Sequence, residues 1–315
     1  MITTPYLSFI IPAFNEKNFI SNTLKQLHNF APKCHYEVII VDNGSTDNTI
    51  EIAQSFNDTV LTCPEGTIAA VRNYGVSKSK GNILVFLDAD VELTQEWQNN
   101  IMGVINQIIE EPLLITGSRC LAPETSNIIN NSWFNILSIS TSDNYINSGH
   151  LITSKVLFDE ISGFNETLKT AEDHDFCVRA KQTGAKIRPT PSLKVIHYGY
   201  PATIGEFIKR ERWHGREDFK NIYSIFKSKI ALITLFHLCL LSLSVIQIIS
   251  TGLLQGIIFY ILSMILMTIP LTLYKFKELK LESIVKTSLM HYFYIIGRTL
   301  SFFDRITLRY SKKFR

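Results

Sequence analysis

Two carboxylates one residue apart close an apolar run: Ile83-Leu84-Val85-Phe86-Leu87 is followed at once by Asp88-Ala89-Asp90. An uninterrupted apolar run of this length reads as a strand buried on both faces, as in a parallel sheet. Alternate side chains of a strand share a face, so Asp88 and Asp90 project to the same side. Two carboxylates held together repel unless a cation or a proton separates them. All-oxygen ligation suits Mg²⁺ or Mn²⁺, ions that commonly bridge a diphosphate. The plainer alternative is a strand end carrying two solvated acids, and a triplet by itself is too short to decide.

The elements around this stretch predict how such groups are positioned. Apolar strands are expected over residues 7–11 (stopped by Pro12), 36–41, 59–62 and 83–87, with helices over 18–30, 46–56, 67–77 and 94–110. Strands alternating with helices at this spacing imply βαβ units and a three-layer α/β/α fold. Polar clusters follow the first strand (Asn15, Glu16), the second (Asp42, Asn43) and the fourth (Asp88, Asp90). Carboxyl ends of parallel strands meet at one edge of the sheet, where open α/β folds bind ligands. Three clusters converging there are harder to assign to loop chemistry than any one alone.

The chain has 315 residues, enough for one large domain or two, and 46% of them are hydrophobic. That fraction calls for a membrane segment. From 230 to 274 there is no Asp, Glu, Lys or Arg, room for two membrane helices of about 20 residues each. Ser250-Thr251-Gly252 supplies the turn between spans expected at 231–249 and 253–273. Lys227 and Lys229 precede the segment, and Lys275, Lys277 and Lys280 follow it. Excess lysine at both ends predicts a hairpin with both termini in the cytoplasm. The stretch 289–303 is apolar and aromatic but carries Arg298, and its uncharged part is too short to span. It reads as an interfacial amphipathic helix, with Arg305, Arg309, Lys312, Lys313 and Arg315 facing anionic lipid. A third span is the alternative.

The remaining composition mostly excludes. A net charge of +3 selects no partner. The basic residues cluster beside the apolar segment, with no aromatic–basic interleaving in the α/β part, so nucleic-acid binding is not expected. The five cysteines are scattered and odd in number, without metal-ligand spacing, which points to a reducing compartment. The first residues run into a strand without a basic region or a cleavage site, so no secretory signal is expected.

Taken together, Ile11-Pro12-Ala13-Phe14-Asn15-Glu16, Val41-Asp42-Asn43-Gly44-Ser45-Thr46-Asp47, Arg72-Asn73-Tyr74-Gly75, Leu87-Asp88-Ala89-Asp90, Gly163-Phe164-Asn165-Glu166 and Glu172-Asp173 resemble, in order and spacing, the successive signatures of family 2 glycosyltransferases. The resemblance covers roughly residues 5–215. It implies a GT-A nucleotide-binding fold, a nucleotide-diphosphate sugar donor expected to be UDP-linked, a divalent metal (Mg²⁺ or Mn²⁺) and inversion at the anomeric carbon.

The resemblance also implies roles. Pro12, Ala13 and Glu16 would line the base and ribose wall, and Asp42 would accept the N3–H of the base, although an Asx-turn or helix cap would use it equally well. Arg72 would lie near the base or the diphosphate. Asp88 would hydrogen-bond the ribose and Asp90 would ligate the metal. His197, ending the apolar run Val195-Ile196, is a second candidate metal ligand, the alternative being a hydrogen-bonded strand-end histidine. Asp173 would be the catalytic base with Glu172 beside it on the acceptor side, whereas helix capping accounts equally for some of these acids. Lys209-Arg210-Glu211-Arg212-Trp213 is similar to the Gln-x-x-Arg-Trp signature of processive synthases but departs from it at Lys209. Arg212 could touch the diphosphate and Trp213 the acceptor; alternatively, residues 204–219 form an amphipathic helix anchored by Trp213 at a membrane surface. Trp133, Phe134 and Tyr145 are either an acceptor wall or packing.

The expected organisation is a catalytic domain over 1–226, a transmembrane hairpin over 227–275 and a basic amphipathic tail over 276–315. The expected activity is transfer of a sugar from a nucleotide-diphosphate donor to a membrane-proximal acceptor, a lipid-linked sugar or a polyprenyl phosphate, at a bacterial inner membrane with the catalytic domain in the cytoplasm. A polysaccharide synthase subunit and a nucleotide-binding scaffold without turnover are the rivals. Product length separates the first. Retention of Asp42, Asp88, Asp90 and Asp173 argues against the second. The sugar, the linkage and the oligomeric state are not legible.

Overall fold

The computed structural model describes residues 6–124, 127–139, 145–276 and 280–307. It divides into two compact units, Met1–Pro123 with Thr141–Tyr200, and Glu124–Ser140 with Pro201–Arg315.

The first unit is built on a seven-stranded sheet of order β3-β2-β1-β4-β7-β6-β8. Its strands are β1 (Tyr6–Ala13), β2 (His35–Asp42), β3 (Thr59–Thr62), β4 (Ile83–Leu87), β6 (Leu114–Gly117), β7 (His150–Ser154) and β8 (Lys186–Pro189). β1 pairs parallel with β2 and β4, and β2 with β3, as the apolar runs predict. The sheet is nevertheless mixed: β7 runs antiparallel to both β4 and β6. That reversal matters for the site, because it brings the N-terminal end of β7 to the edge where β1, β2 and β4 end. β1 extends through Pro12 to Ala13 instead of stopping at the proline. β4 pairs with β1 only as far as Ile10, so the missing N–H of Pro12 costs no ladder bond on that side.

Side-chain alternation on β1 sorts the core into two layers. Leu7, Phe9 and Ile11 pack with α1 (Ile20–Asn29), through Ile20, Leu24 and Leu27, and with α4 (Gln95–Glu110), through Trp97, Ile101 and Ile105. Ile10, with Val41 and Phe86 of the neighbouring strands, packs on the other face against α3 (Ile68–Lys78), α6 (Lys155–Glu160) and α7 (Glu172–Gln182). This is the expected three-layer arrangement. α2 (Thr49–Gln54) begins three residues later than the sequence suggests. Asp47 holds the preceding turn by accepting the Thr49 N–H at 3.0 Å.

In the second unit, α8 (Ile204–His214), α9 (Ile222–Lys227), α10 (Lys229–Thr251), α11 (Leu253–Lys275) and α12 (Leu281–Ile306) follow one another. α8 opens with a capping box between Thr203 and Glu206 and ends at His214, short of the expected 219. α10 and α11 are each long and apolar enough to cross a membrane, with Gly252 at φ +109° between them. Most of their exposed side chains are apolar, including Phe236, Ile246, Ile249, Leu254 and Leu266. Thr234, His237, Ser244, Thr268 and Thr272 are turned inward. Such an inverted pattern is what a lipid solvent selects, since internal polar groups then satisfy one another. His237 follows it, with Nδ1 2.8 Å from the Thr299 hydroxyl and Nε2 3.0 Å from the Tyr260 hydroxyl.

α12 is longer than the expected 289–303 and shows the same inversion. Thr287, Ser288, His291, Thr299 and Ser301 are buried, while Leu281, Val285, Leu289, Phe303 and Ile306 are exposed. Trp133 is packing and not an exposed wall: it is buried in this unit among Phe207, Phe276, His291 and Tyr294, with ring centroids 4.8–6.0 Å away. Lys277 and the basic residues Arg309, Lys312, Lys313 and Arg315 lie outside the described residues.

Candidate active site

The parallel strands deliver their terminal carboxylates to one edge. Ala13 is in register with Asp42, and β4 ends directly into Asp88. The loops after β1 and β2 are stitched together: the Asn15 N–H donates to Ser45 Oγ at 2.9 Å and the Thr46 N–H donates to Asn15 Oδ1 at 2.8 Å. Asn15 takes φ +58° to do so, a left-handed conformation that Asn tolerates better than most residues. Within the second loop, Asp42 Oδ2 accepts the N–H groups of Gly44 and Ser45, both at 2.9 Å. This is the turn chemistry that sequence alone offered as the alternative. It uses only one oxygen. Asp42 is 1% exposed, and its Oδ1 has no hydrogen-bond partner among the described residues. A buried unpartnered acceptor is costly, and a ligand N–H would remove the cost.

After Asp90 the chain enters β5 (Val91–Leu93), which pairs antiparallel with β9 (Val195–His197), Val91 opposite His197. The pairing sets His197 beside Asp90, Nε2 to Oδ1 3.4 Å. Ligand atoms of Asp88, Asp90 and His197 all lie within 4.8 Å of one another. Two carboxylates and an imidazole suit Mn²⁺ or Mg²⁺. The surroundings fit a cation in two further respects. Burial, then the charges of Asp90, Asp88 and Asp47, push the Glu16 carboxyl up to about 8. At Gly199 a Cβ would collide with Asp90 Oδ2, so the carboxylate occupies space that only glycine leaves.

Glu172 and Asp173 open α7. Its N-cap, Ala171, sits at φ +61° without a capping side chain. The first turn is held by tertiary contacts. Ser148 donates its N–H to Asp173 Oδ2 at 3.2 Å and its hydroxyl to Glu172 Oε1 at 3.1 Å. Arg72, 3% exposed, reaches Glu172 Oε1 with Nη1 and Asp88 Oδ1 with Nη2, each at 2.7 Å. Asp173 is buried, and its carboxyl is raised to about 7, by desolvation first and the neighbouring Glu172 second, against the lowering effects of the Ser148 and His174 N–H groups and of Arg72. Asp175 pairs instead with Arg179 at 2.7 Å.

Asp42, Arg72, Asp88, Asp90, Glu172, Asp173, His197 and Glu16, with Pro12 and Ala13 at the end of β1, thus belong to the first unit. Arg212 and Trp213 belong to the second. Arg212 donates to both oxygens of Asp304, at 2.6 and 2.5 Å, and Trp213 meets the ring of His214 edge-on at 4.9 Å. Sequence reasoning missed Ser148 and Gly199. Asn147-Ser148-Gly149 before an apolar strand is a readable turn, but its place beside α7 follows only from the antiparallel run of β7. The Gly149 carbonyl also accepts the Asp88 N–H at 3.2 Å.

Part of this constellation lies in a segment that is similar to known proteins. Residues 8–116 match the model of the family described as Glycosyl transferase family 2. Over these residues the chain is similar to glycosyltransferase family 2. It is 39% identical over 111 residues to glycosyltransferase AglE of Haloferax volcanii, a match spanning 33% of this chain and 36% of that protein. It is 24% identical over 297 residues, 84% of this chain and 87% of the relative, to a Methanococcus voltae enzyme named dolichyl N-acetyl-alpha-D-glucosaminyl phosphate 3-beta-D-2,3-diacetamido-2,3-dideoxy-beta-D-glucuronosyltransferase. Among solved structures, it is similar to the mannosyltransferase PcManGT from Pyrobaculum calidifontis in complex with GDP-Man and Mn²⁺, with a TM-score of 0.61 and 14% identity over 95% of this chain and 87% of that one. At that identity the likeness establishes the GT-A fold alone.

Proposed function

We propose that the protein is an inverting, metal-dependent glycosyltransferase that moves a sugar from a nucleotide-diphosphate donor, in our reading UDP-linked, to a hydroxyl of a lipid-linked sugar at a membrane surface. One observation carries the reading: Asp88, clustered with Asp90 and His197 as candidate metal ligands, is tied through Arg72 to Glu172 of the buried acid pair at the start of α7.

Asp42 Oδ1 accepts the base N–H, with Pro12, Ala13 and Glu16 forming the adjoining wall, and Asp88 takes the ribose. Asp90 and His197, with Asp88 within reach, would hold the cation, which supplies charge neutralisation for the departing diphosphate. Asp173 is the base. The acceptor oxygen forms its bond to the anomeric carbon on the face opposite the donor phosphate. The bond from that carbon to the phosphate oxygen breaks, the nucleoside diphosphate leaves with the electron pair, and the hydroxyl proton passes to Asp173.

A base at about 7 is matched to hydroxyl activation near neutral pH. A polyprenyl phosphate, the other acceptor considered, brings an anionic nucleophile that needs no base and would meet the charges of Glu172 and Asp173. The Methanococcus relative, whose name describes transfer to a dolichyl-phosphate-linked sugar, supports the hydroxyl acceptor. The inverted polarity of α10 and α11 supports a membrane location, and the lysines flanking the pair, Lys227, Lys229 and Lys275, support placing the catalytic unit in the cytoplasm, where nucleotide sugars are made.

Membrane vesicles containing the protein, given labelled donors, test this reading. Label should enter a lipid-linked sugar, and Asp173→Asn should abolish it. Label entering only lipid phosphate would refute the hydroxyl acceptor, and no transfer from any donor would refute the activity.

A further inference from the structure

We propose that Arg72 is a positioning residue that couples the two halves of the reaction, by clamping Asp88 on the donor side to Glu172 beside the base. The inference rests on the function proposed above and goes beyond placing Arg72 against the donor.

Both guanidinium nitrogens are engaged by carboxylates from different elements, at 2.7 Å each. Arg72 comes from α3 and Glu172 opens α7, 100 residues later. The side chain is 3% exposed and its Nε has no hydrogen-bond partner among the described residues. A guanidinium buried in this way is fixed in plane, and its fork fits two carboxylates where a point charge fits one. The clamp also meets a local need. Ala171 starts α7 in a left-handed conformation without a capping side chain, a state that persists only where surrounding contacts over-determine it. Arg72 on Glu172, and Ser148 on both acids, provide those contacts. The Asp173 carboxylate itself is held by the Ser148 and His174 N–H groups, at 3.2 and 2.7 Å; Arg72 fixes the neighbouring Glu172 and Asp88 together, so the turn that carries the base is anchored to the donor side through one side chain. Arg72 is also a cation acting on Asp173; the other titratable groups around that carboxyl are Glu172, His174 and Cys177.

Arg72→Lys keeps the charge and loses the span; Arg72→Gln loses both. Both are measured as full-length protein in lipid nanodiscs, with the donor and acceptor that support wild-type transfer. For the lysine variant the expected result is kcat down about tenfold or more, as misalignment of reacting groups produces, with donor Kd by calorimetry within about threefold. For the glutamine variant the acidic limb of the kcat/KM profile moves to higher pH, because the cation beside Asp173 is gone. A purely structural defect lowers the active fraction and leaves that limb in place. If the glutamine variant does not fold, the split between kcat and donor Kd in the lysine variant decides alone. A donor Kd weakened more than tenfold with kcat intact would make Arg72 a donor ligand and overturn the proposal. An unchanged kcat would overturn it as well. Absence of transfer by the wild type is a different failure, that of the proposed activity.

Discussion

Deprotonation of Asp173 should control the acidic limb of the reaction. Its carboxyl stands at about 7 instead of 3.8 because it is buried and because Glu172 is adjacent. Only the charged form accepts a proton, so kcat/KM should fall about tenfold per pH unit below 7 and level off above it. Glu172→Gln removes the like charge while keeping an oxygen for Ser148 and Arg72, and should move the limb down by about one unit. The same displacement has a signature in stability. A carboxyl raised in the folded state favours folding below its unfolded value of 3.8, and that contribution is lost as pH rises through about 7. In full it corresponds to about 4 kcal/mol. Asp173→Asn should therefore unfold later than the wild type above pH 7, with the difference vanishing near pH 4. Initial-rate profiles from about pH 4 to 9, with denaturant melts of the same proteins over the same range, test both statements. A limb at pH 4–5, unmoved by Glu172→Gln, would refute the assignment of Asp173 as a buried base paired with Glu172.

Other consequences follow from the cation site and the second unit. Glu16 holds its proton up to about 8, largely through burial and then the Asp90 and Asp88 charges, so Mn²⁺ binding should release a proton and tighten from pH 6 to 9. Calorimetry in buffers of different ionisation heat measures this, and Glu16→Gln should abolish the proton release. Gly199→Ala places a methyl group where Asp90 Oδ2 lies; Mn²⁺ affinity should fall more than about tenfold while the melting temperature moves little. Arg212 is committed to Asp304, so Arg212→Ala should cost about 1 kcal/mol of stability, a partly exposed ion pair's worth, and leave donor affinity unchanged. Weakened donor binding in that variant would restore the diphosphate role that the sequence suggested.

The parallel half of the sheet was legible because burial on both faces leaves an unmistakable apolar run, as in 83–87, and because carboxylates that end such runs must reach the sheet edge. The helical pair at 229–275 was legible from its composition: absence of charge between 230 and 274 leaves few alternatives. Ser148 was not legible. Its hydrogen bonds depend on β7 running backwards, and no local pattern in His150–Ser154 encodes strand direction. Arg72 was visible as part of a motif, but its two carboxylate partners are 16 and 100 residues away. Trp133 read equally as sugar wall or packing, since an aromatic ring suits both; burial against Phe207 and His291 in the second unit decides it. α12 outran its apolar stretch because its polar residues, Thr287 and Ser288 among them, point inward.

Donor binding to the intact protein with and without Mn²⁺ tests the central claim most directly. Calorimetry with a panel of UDP-, GDP- and dTDP-sugars should find one donor, in our reading UDP-linked, whose binding is lost on chelation of the metal and lost again in Asp90→Ala. Folded protein that binds no nucleotide sugar, or binds one equally well without metal and without Asp90, would contradict it.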